Sequence, residues 1–98
     1  MDKIHHIAIQ VDNIETAIAW YCDHFDVQPA YQDDSWALLK FANISLALVM
    51  PQQHPPHFAI ENTDADKFGE LVTHRDKTQS IYIHDPFGNV LEVMKKES

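Results

Sequence analysis

A chain of 98 residues, 45% hydrophobic and 10% aromatic, has the size of one small domain with a modest core. Its formal charge of −8 leaves no basic footprint for nucleic acid or an anionic membrane, and no apolar run reaches the roughly 20 residues a membrane helix needs. The single cysteine, Cys22, excludes a disulfide framework and a cysteine-based zinc motif; with no room for a secretory leader before the first patterned run, the expectation is a reducing, cytoplasmic setting.

Residues 4–11 alternate as a half-buried strand, with Ile7, Ile9 and Val11 on one face and His6, Ala8 and Gln10 on the other. Asp12, three residues before Glu15, predicts a capping box. Ile14, Ala17, Ile18, Tyr21 and Phe25 then form the apolar stripe of a helix over about 13–25. The natural cover for that stripe is the Ile7/Ile9/Val11 face, which turns His6 and Gln10 away from the helix. Exchanging His5 for His6 would set a histidine against it. Pro29 closes the helical stretch, and strand-like runs follow over about 30–33, 35–42 and 44–50. In the last run Ile44, Leu46 and Leu48 cover the helix, while Ser45 and Ala47 face with His6. Pro51, Pro55 and Pro56 stiffen a link over 51–56.

His57-Phe58-Ala59-Ile60-Glu61 then repeats the pattern of His6-Ile7-Ala8-Ile9-Gln10, and a fixed self-similarity points to a duplicated unit. Phe58 and Ile60 take the helix-facing positions; His57, Ala59 and Glu61 take the other face. Thr63 is the expected cap of a second helix with the stripe Ala65, Phe68, Leu71 and Val72. After a polar stretch from Arg75 to Gln79, a strand is expected over 81–84, a turn at Asp85-Pro86-Phe87-Gly88, and a last strand over 90–94. Glu92 is in phase with Val90 and Met94 on a covered face, where a carboxylate needs a cation or histidines beside it. The plan is one α+β domain, 1–98, with repeat units of about 1–50 and 57–98, the second one strand short. Cys22 is expected as a buried, inert thiol. His24, His54, His74 and His84 are expected at the surface. Gln10 and Glu61 read either as partners that orient the imidazoles or as polar rim residues. Tyr31, Trp36 and Tyr82 read either as the lining of an aromatic pocket or as core and dimer contacts.

Four pieces carry a resemblance: His6-Ile7-Ala8-Ile9-Gln10-Val11, Ala19-Trp20-Tyr21, His57-Phe58-Ala59-Ile60, and Asp85-Pro86-Phe87-Gly88-Asn89 running into Leu91-Glu92-Val93. In this order they resemble the vicinal oxygen chelate superfamily, which includes glyoxalase I, bleomycin-resistance proteins and extradiol dioxygenases. The resemblance implies βαβββ-type units whose curved mixed sheets surround a cleft; the small interior of two half-size repeats makes a homodimer the expectation. It also implies a divalent metal (iron, zinc, nickel or manganese) whose ligands match His6, His57 and Glu92. The closing strand of the first unit offers only Ser45 and Ala47 where the family has Glu or Gln, which speaks against glyoxalase I itself. Asp26 stands where the family usually ends the first helix with Gly. Two His and one Glu have the composition of the facial triad that holds non-haem iron(II). Three function classes follow. One is a metal-dependent enzyme, dioxygenase- or lyase-like, acting on a small substrate chelated through vicinal oxygens. Another is a metal-free binding protein for a drug or metabolite; a degenerate member kept for assembly is a third.

Overall fold

The structure, a computed structural model, describes residues 1–74 and 76–96. Arg75, the start of the polar stretch, lies outside the described residues. The chain divides into two compact units, His6–Pro56 and Met1–His5 with the stretch from His57 onward.

In the unit His6–Pro56, alternation gives the strand β1 (Lys3–Gln10, entering from the other unit), and Asn13 starts helix α1 (Ile14–His24). The cap is Asn13 rather than Asp12: Asn13 is extended at φ −147°, and its side-chain oxygen accepts the Thr16 N–H at 2.9 Å. The helix stops without a glycine. Phe25 leaves helical space at φ −136° while its N–H closes on the Tyr21 carbonyl at 2.9 Å, so Asp26 is not asked for a left-handed turn. Three strands follow, β2 (Gln28–Gln32), β3 (Trp36–Lys40) and β4 (Ser45–Val49). Their order with β1 is β2-β3-β4-β1, with β1 and β4 parallel and the other pairs antiparallel. Pro29 lies inside β2, earlier than the expected strand start; an edge strand tolerates the missing N–H.

One face of this sheet takes the helix. Ile14 and Ile18 bury against Ala37, Leu39 and Leu48, with Ile9, Val11, Ala17, Tyr21 and Leu46 around them. Members of the expected apolar set that stay outside that core include Ile7 at 44% exposure and Phe25 at 52%. Cys22 is exposed, which corrects the expected buried thiol; its position next to Tyr21 turns it off the stripe. On the opposite face Ala8, Ala47 and Val49 are buried beneath Trp36 and Leu38.

The second unit carries β5 (His57–Asn62), a 3-10 turn over Ala65–Phe68, β6 (Val72–Thr73), β7 (Gln79–His84) and β8 (Val90–Lys95). The order is β5-β8-β7-β6, with β5 and β8 parallel. The initial residues join it where the Asn62 amide donates to Asp2 Oδ2 at 2.8 Å. The expected second helix is overturned. Gly69 interrupts after one turn at φ 145°, too early for helix propagation to offset nucleation. Phe68 and Val72 of its supposed stripe are 48% and 60% exposed. Asp64, not Thr63, stands at the turn's start, without a side-chain cap. The strand expected to be missing survives as the two residues of β6, so the truncation falls mainly on the helix. The Asp85 turn forms as expected, its carboxylate accepting the N–H groups of Phe87 and Asn89 at 2.8 and 2.9 Å, with Gly88 at φ 86°. Among the described residues no helix is long and apolar enough to cross a membrane.

Gly69→Ala tests the 3-10 stop. A Cβ there would run into Ile81 Cδ1 at a φ that L side chains rarely adopt. The expected cost is about 1–3 kcal/mol by chemical denaturation, whereas Gly88→Ala meets no neighbouring atom within 4 Å and pays only for its φ.

Candidate functional site

The chemistry of the second unit collects on one sheet face. The register pairs Ala59 with Glu92 and Glu92 with Tyr82, so alternation puts His57, Glu92, Ser80 and Tyr82 on the same side. Ala59 beside Glu92 is small and leaves the carboxylate open to the imidazole two residues earlier. His57 Nε2 lies 3.4 Å from Glu92 Oε1. Ser80 Oγ donates to Glu92 Oε2 at 2.7 Å, and His74 Nε2 lies 2.5 Å from that hydroxyl and 3.6 Å from Oε2. Ser80, Glu92 and His57 are 1%, 5% and 7% exposed, and among the described residues no buried side-chain N or O atom lacks a partner. Glu92 is therefore a deeply buried acid held by hydrogen bonds, not a solvated strand residue.

The donor set fits a divalent cation. Two ligands bonded at about 2.1 Å to one tetrahedral ion stand about 3.4 Å apart. That is the His57–Glu92 spacing.

The Tyr82 and His57 rings pack in a T-shaped pair, with centroids 5.0 Å apart at 85°. Burial, and then the negative Glu92, push the Tyr82 hydroxyl well above the usual tyrosine range. The folded protein thus keeps a proton that the unfolded chain releases near pH 10, so stability falls as pH rises past about 10 towards the folded-state pKa. Because 37% of Tyr82 is open to solvent, the effect should be small. Denaturation curves across this range should show it in the wild type and not in Tyr82→Phe.

The third expected ligand, His6, stands half-buried on β1 in the other unit. Within that unit it is in direct register with Ser45, and Ser45 with Lys40. The strand that should close the unit with a carboxylate or amide thus presents a hydroxyl at the position beside His6. Gln10 belongs to the rim: its amide donates to the His54 carbonyl at 3.0 Å. Tyr31 and Trp36 stack at 4.5 Å, and the Tyr31 hydroxyl donates to Asp33 Oδ2 at 2.6 Å. That bond, with N–H donation from Ser35 and Trp36, holds the Asp33 carboxyl well below the usual carboxylate range.

Two site residues escaped the sequence reading. Ser80 fell outside because the expected strand began at Ile81; carrying the Tyr82 alternation back two residues would have placed it. His74, assigned to the surface, is half-buried and reaches Ser80, and its position at the end of a two-residue strand leaves no periodic signal.

A family model described as the Glyoxalase/Bleomycin resistance protein/Dioxygenase superfamily matches residues 3–67. That span includes His6 and His57 and ends before Glu92. No curated protein matches the chain. Among solved structures, a hypothetical protein from Bacillus halodurans C-125 aligns over 99% of this chain and 96% of its own, at 18% identity and a TM-score of 0.77. A glyoxalase/bleomycin resistance protein/dioxygenase superfamily member from Vibrio splendidus 12B01 aligns over 96% and 98%, at 10% identity and a TM-score of 0.69. At such identities the likeness is one of fold.

Proposed function

We propose, from the premise that this chain belongs to the Glyoxalase/Bleomycin resistance protein/Dioxygenase superfamily, that His6, His57 and Glu92 hold one divalent cation and that the protein acts on a small molecule presenting two neighbouring oxygens. The observation that carries this reading lies within the second unit, where buried His57 Nε2 stands 3.4 Å from buried Glu92 Oε1; His6 joins them as the equivalent residue of the repeat. Donors on a common ion with bonds of about 2.0–2.2 Å can be at most about 4.4 Å apart, a limit that the His57–Glu92 pair meets as it stands.

Two neutral imidazoles and one carboxylate leave such a cation with net positive charge and open positions, so that when bound it would stabilise negative charge on a substrate oxygen. The chain's own residues do the rest. Ser80 occupies one carboxylate oxygen and leaves the other towards His57. The Tyr82 ring limits the movement of the His57 imidazole. Ser45, beside His6, offers no carboxylate to take a proton from carbon, which favours dioxygenase- or lyase-type chemistry over the glyoxalase I reaction.

The alternative is a metal-free binding protein for a drug or metabolite. It draws support from the apolar face of Ala8, Ala47, Val49, Trp36 and Leu38, extended by the Tyr31–Trp36 stack. Elemental analysis of untagged protein, followed by add-back of zinc, nickel or anaerobic iron(II), separates the two. One cation per chain, lost in both His6→Ala and His57→Ala, is the result expected; no uptake at micromolar metal would leave the binding protein as the surviving reading.

A further inference from the structure

We infer that Ser80, backed by His74, is a positioning residue that aims the Glu92 carboxylate; this rests on the cation-site reading above. The glutamate carboxylate turns about a broad, nearly two-fold torsion, so packing alone leaves the tilt of the carboxylate plane open. Hydrogen bonding resolves it. A serine hydroxyl has one proton, and that proton goes to Glu92 Oε2 at 2.7 Å. The contact between His74 Nε2 and Ser80 Oγ at 2.5 Å must then run from the imidazole N–H to the hydroxyl oxygen. Both donors point the same way, His74 to Ser80 to Glu92, and such a chain polarises cooperatively towards the carboxylate. Oε2 is claimed, and Oε1 is presented to His57 at 3.4 Å.

The outer end of this chain is fixed by the backbone. The His74 N–H donates to the Thr78 carbonyl at 2.8 Å and the His74 carbonyl accepts the Lys77 N–H at 2.9 Å, with Lys77 in the left-handed region at φ 71°. Asp76 ties the same turn by accepting the Thr78 N–H and hydroxyl at 3.0 and 2.6 Å. Both backbone groups of His74 are thus tied, which fixes the point from which its imidazole reaches Ser80. Ser80, 1% exposed on β7, lies too deep for water to take over its hydrogen bond. Partners of this kind, bonded to a metal ligand but not to the metal, typically change cation affinity by about 10–100-fold.

The test uses the full chain and nickel(II) alone, titrated against a competing chelator. Ser80→Ala should weaken nickel affinity by about 10–100-fold, and Ser80→Thr, which keeps the hydroxyl, should restore it. His74→Phe, which removes the outer donor without touching Glu92, should lower affinity in the same direction; it decides the matter if Ser80→Ala fails to fold. The cobalt(II) absorption bands should shift in Ser80→Ala and return in Ser80→Thr, a response that general loosening of the fold would not give. Crystals of the metal-free proteins supply a readout independent of any cation: the His57 Nε2 to Glu92 Oε1 separation should lengthen in Ser80→Ala and be kept in Ser80→Thr. Wild type without nickel uptake but with that lengthening would overturn the cation site and leave the positioning role standing. Unchanged nickel affinity, cobalt spectrum and separation in Ser80→Ala and His74→Phe would overturn the positioning role while the cation site stood.

Discussion

Glu92→Ala should abolish cation uptake and, separately, destabilise the fold by about 1–3 kcal/mol. The first effect follows from removing the only anionic member of the proposed donor set. The second follows from what stays behind: Ser80, 1% exposed, loses its acceptor, and His57, 7% exposed, loses the carboxylate at 3.4 Å. A buried donor without a partner carries its full desolvation penalty. Glu92→Gln separates the effects. The amide oxygen still accepts from Ser80 in nearly the same shape, so most stability should return, while cation affinity stays low because a neutral amide is a poor replacement for a carboxylate ligand. Paired denaturation curves and metal titrations of the two variants check this. Wild-type affinity in Glu92→Gln would remove Glu92 from the donor set.

Leu39→Ala is the substitution expected to damage the fold most without touching the site. Leu39 is fully buried at 0% exposure, among Ile14, Ile18, Ala37 and Leu48 under α1. Truncation there should cost about 2–5 kcal/mol. Small domains have only about 5–15 kcal/mol in total, so the melting temperature should fall steeply. Phe25→Ala is the comparison: Phe25, 52% exposed beyond the helix end, should cost far less despite the larger side chain removed. Similar losses from the two would mean that the α1 face does not carry the core.

These expectations rest on features that differ in how far the sequence discloses them. The helix-facing set of the first unit was readable because period two in the strands and period 3.6 in α1 single out the same inside: Ile9, Val11, Ile14, Ile18, Leu46 and Leu48 meet in one core. Exposed ends were less readable. Phe25 continues the stripe by spacing, but the chain leaves helical geometry at that residue, so its ring misses the core. Asp12 and Asn13 are both competent caps, and only backbone geometry decides between them.

The second unit was misread where local propensity and length collide. Ala65, Phe68, Leu71 and Val72 have helical spacing, but Gly69 among them ends the helix after one turn and the next residues turn to extended structure. At the site, the equivalence of His57 with His6 and the phase of Glu92 came from periodicity alone. Ser80 and His74 did not, because their partnership with Glu92 depends on strand register and on a hairpin, neither of which a single strand's pattern encodes.

Crystals of the protein soaked with zinc(II) and measured at the zinc absorption edge reveal whether two imidazoles and one carboxylate hold one cation. A single strong anomalous peak is expected, with His6, His57 and Glu92 donor atoms each within about 2.0–2.2 Å. Zinc bound elsewhere, or no peak among these three residues at saturating metal, would contradict it.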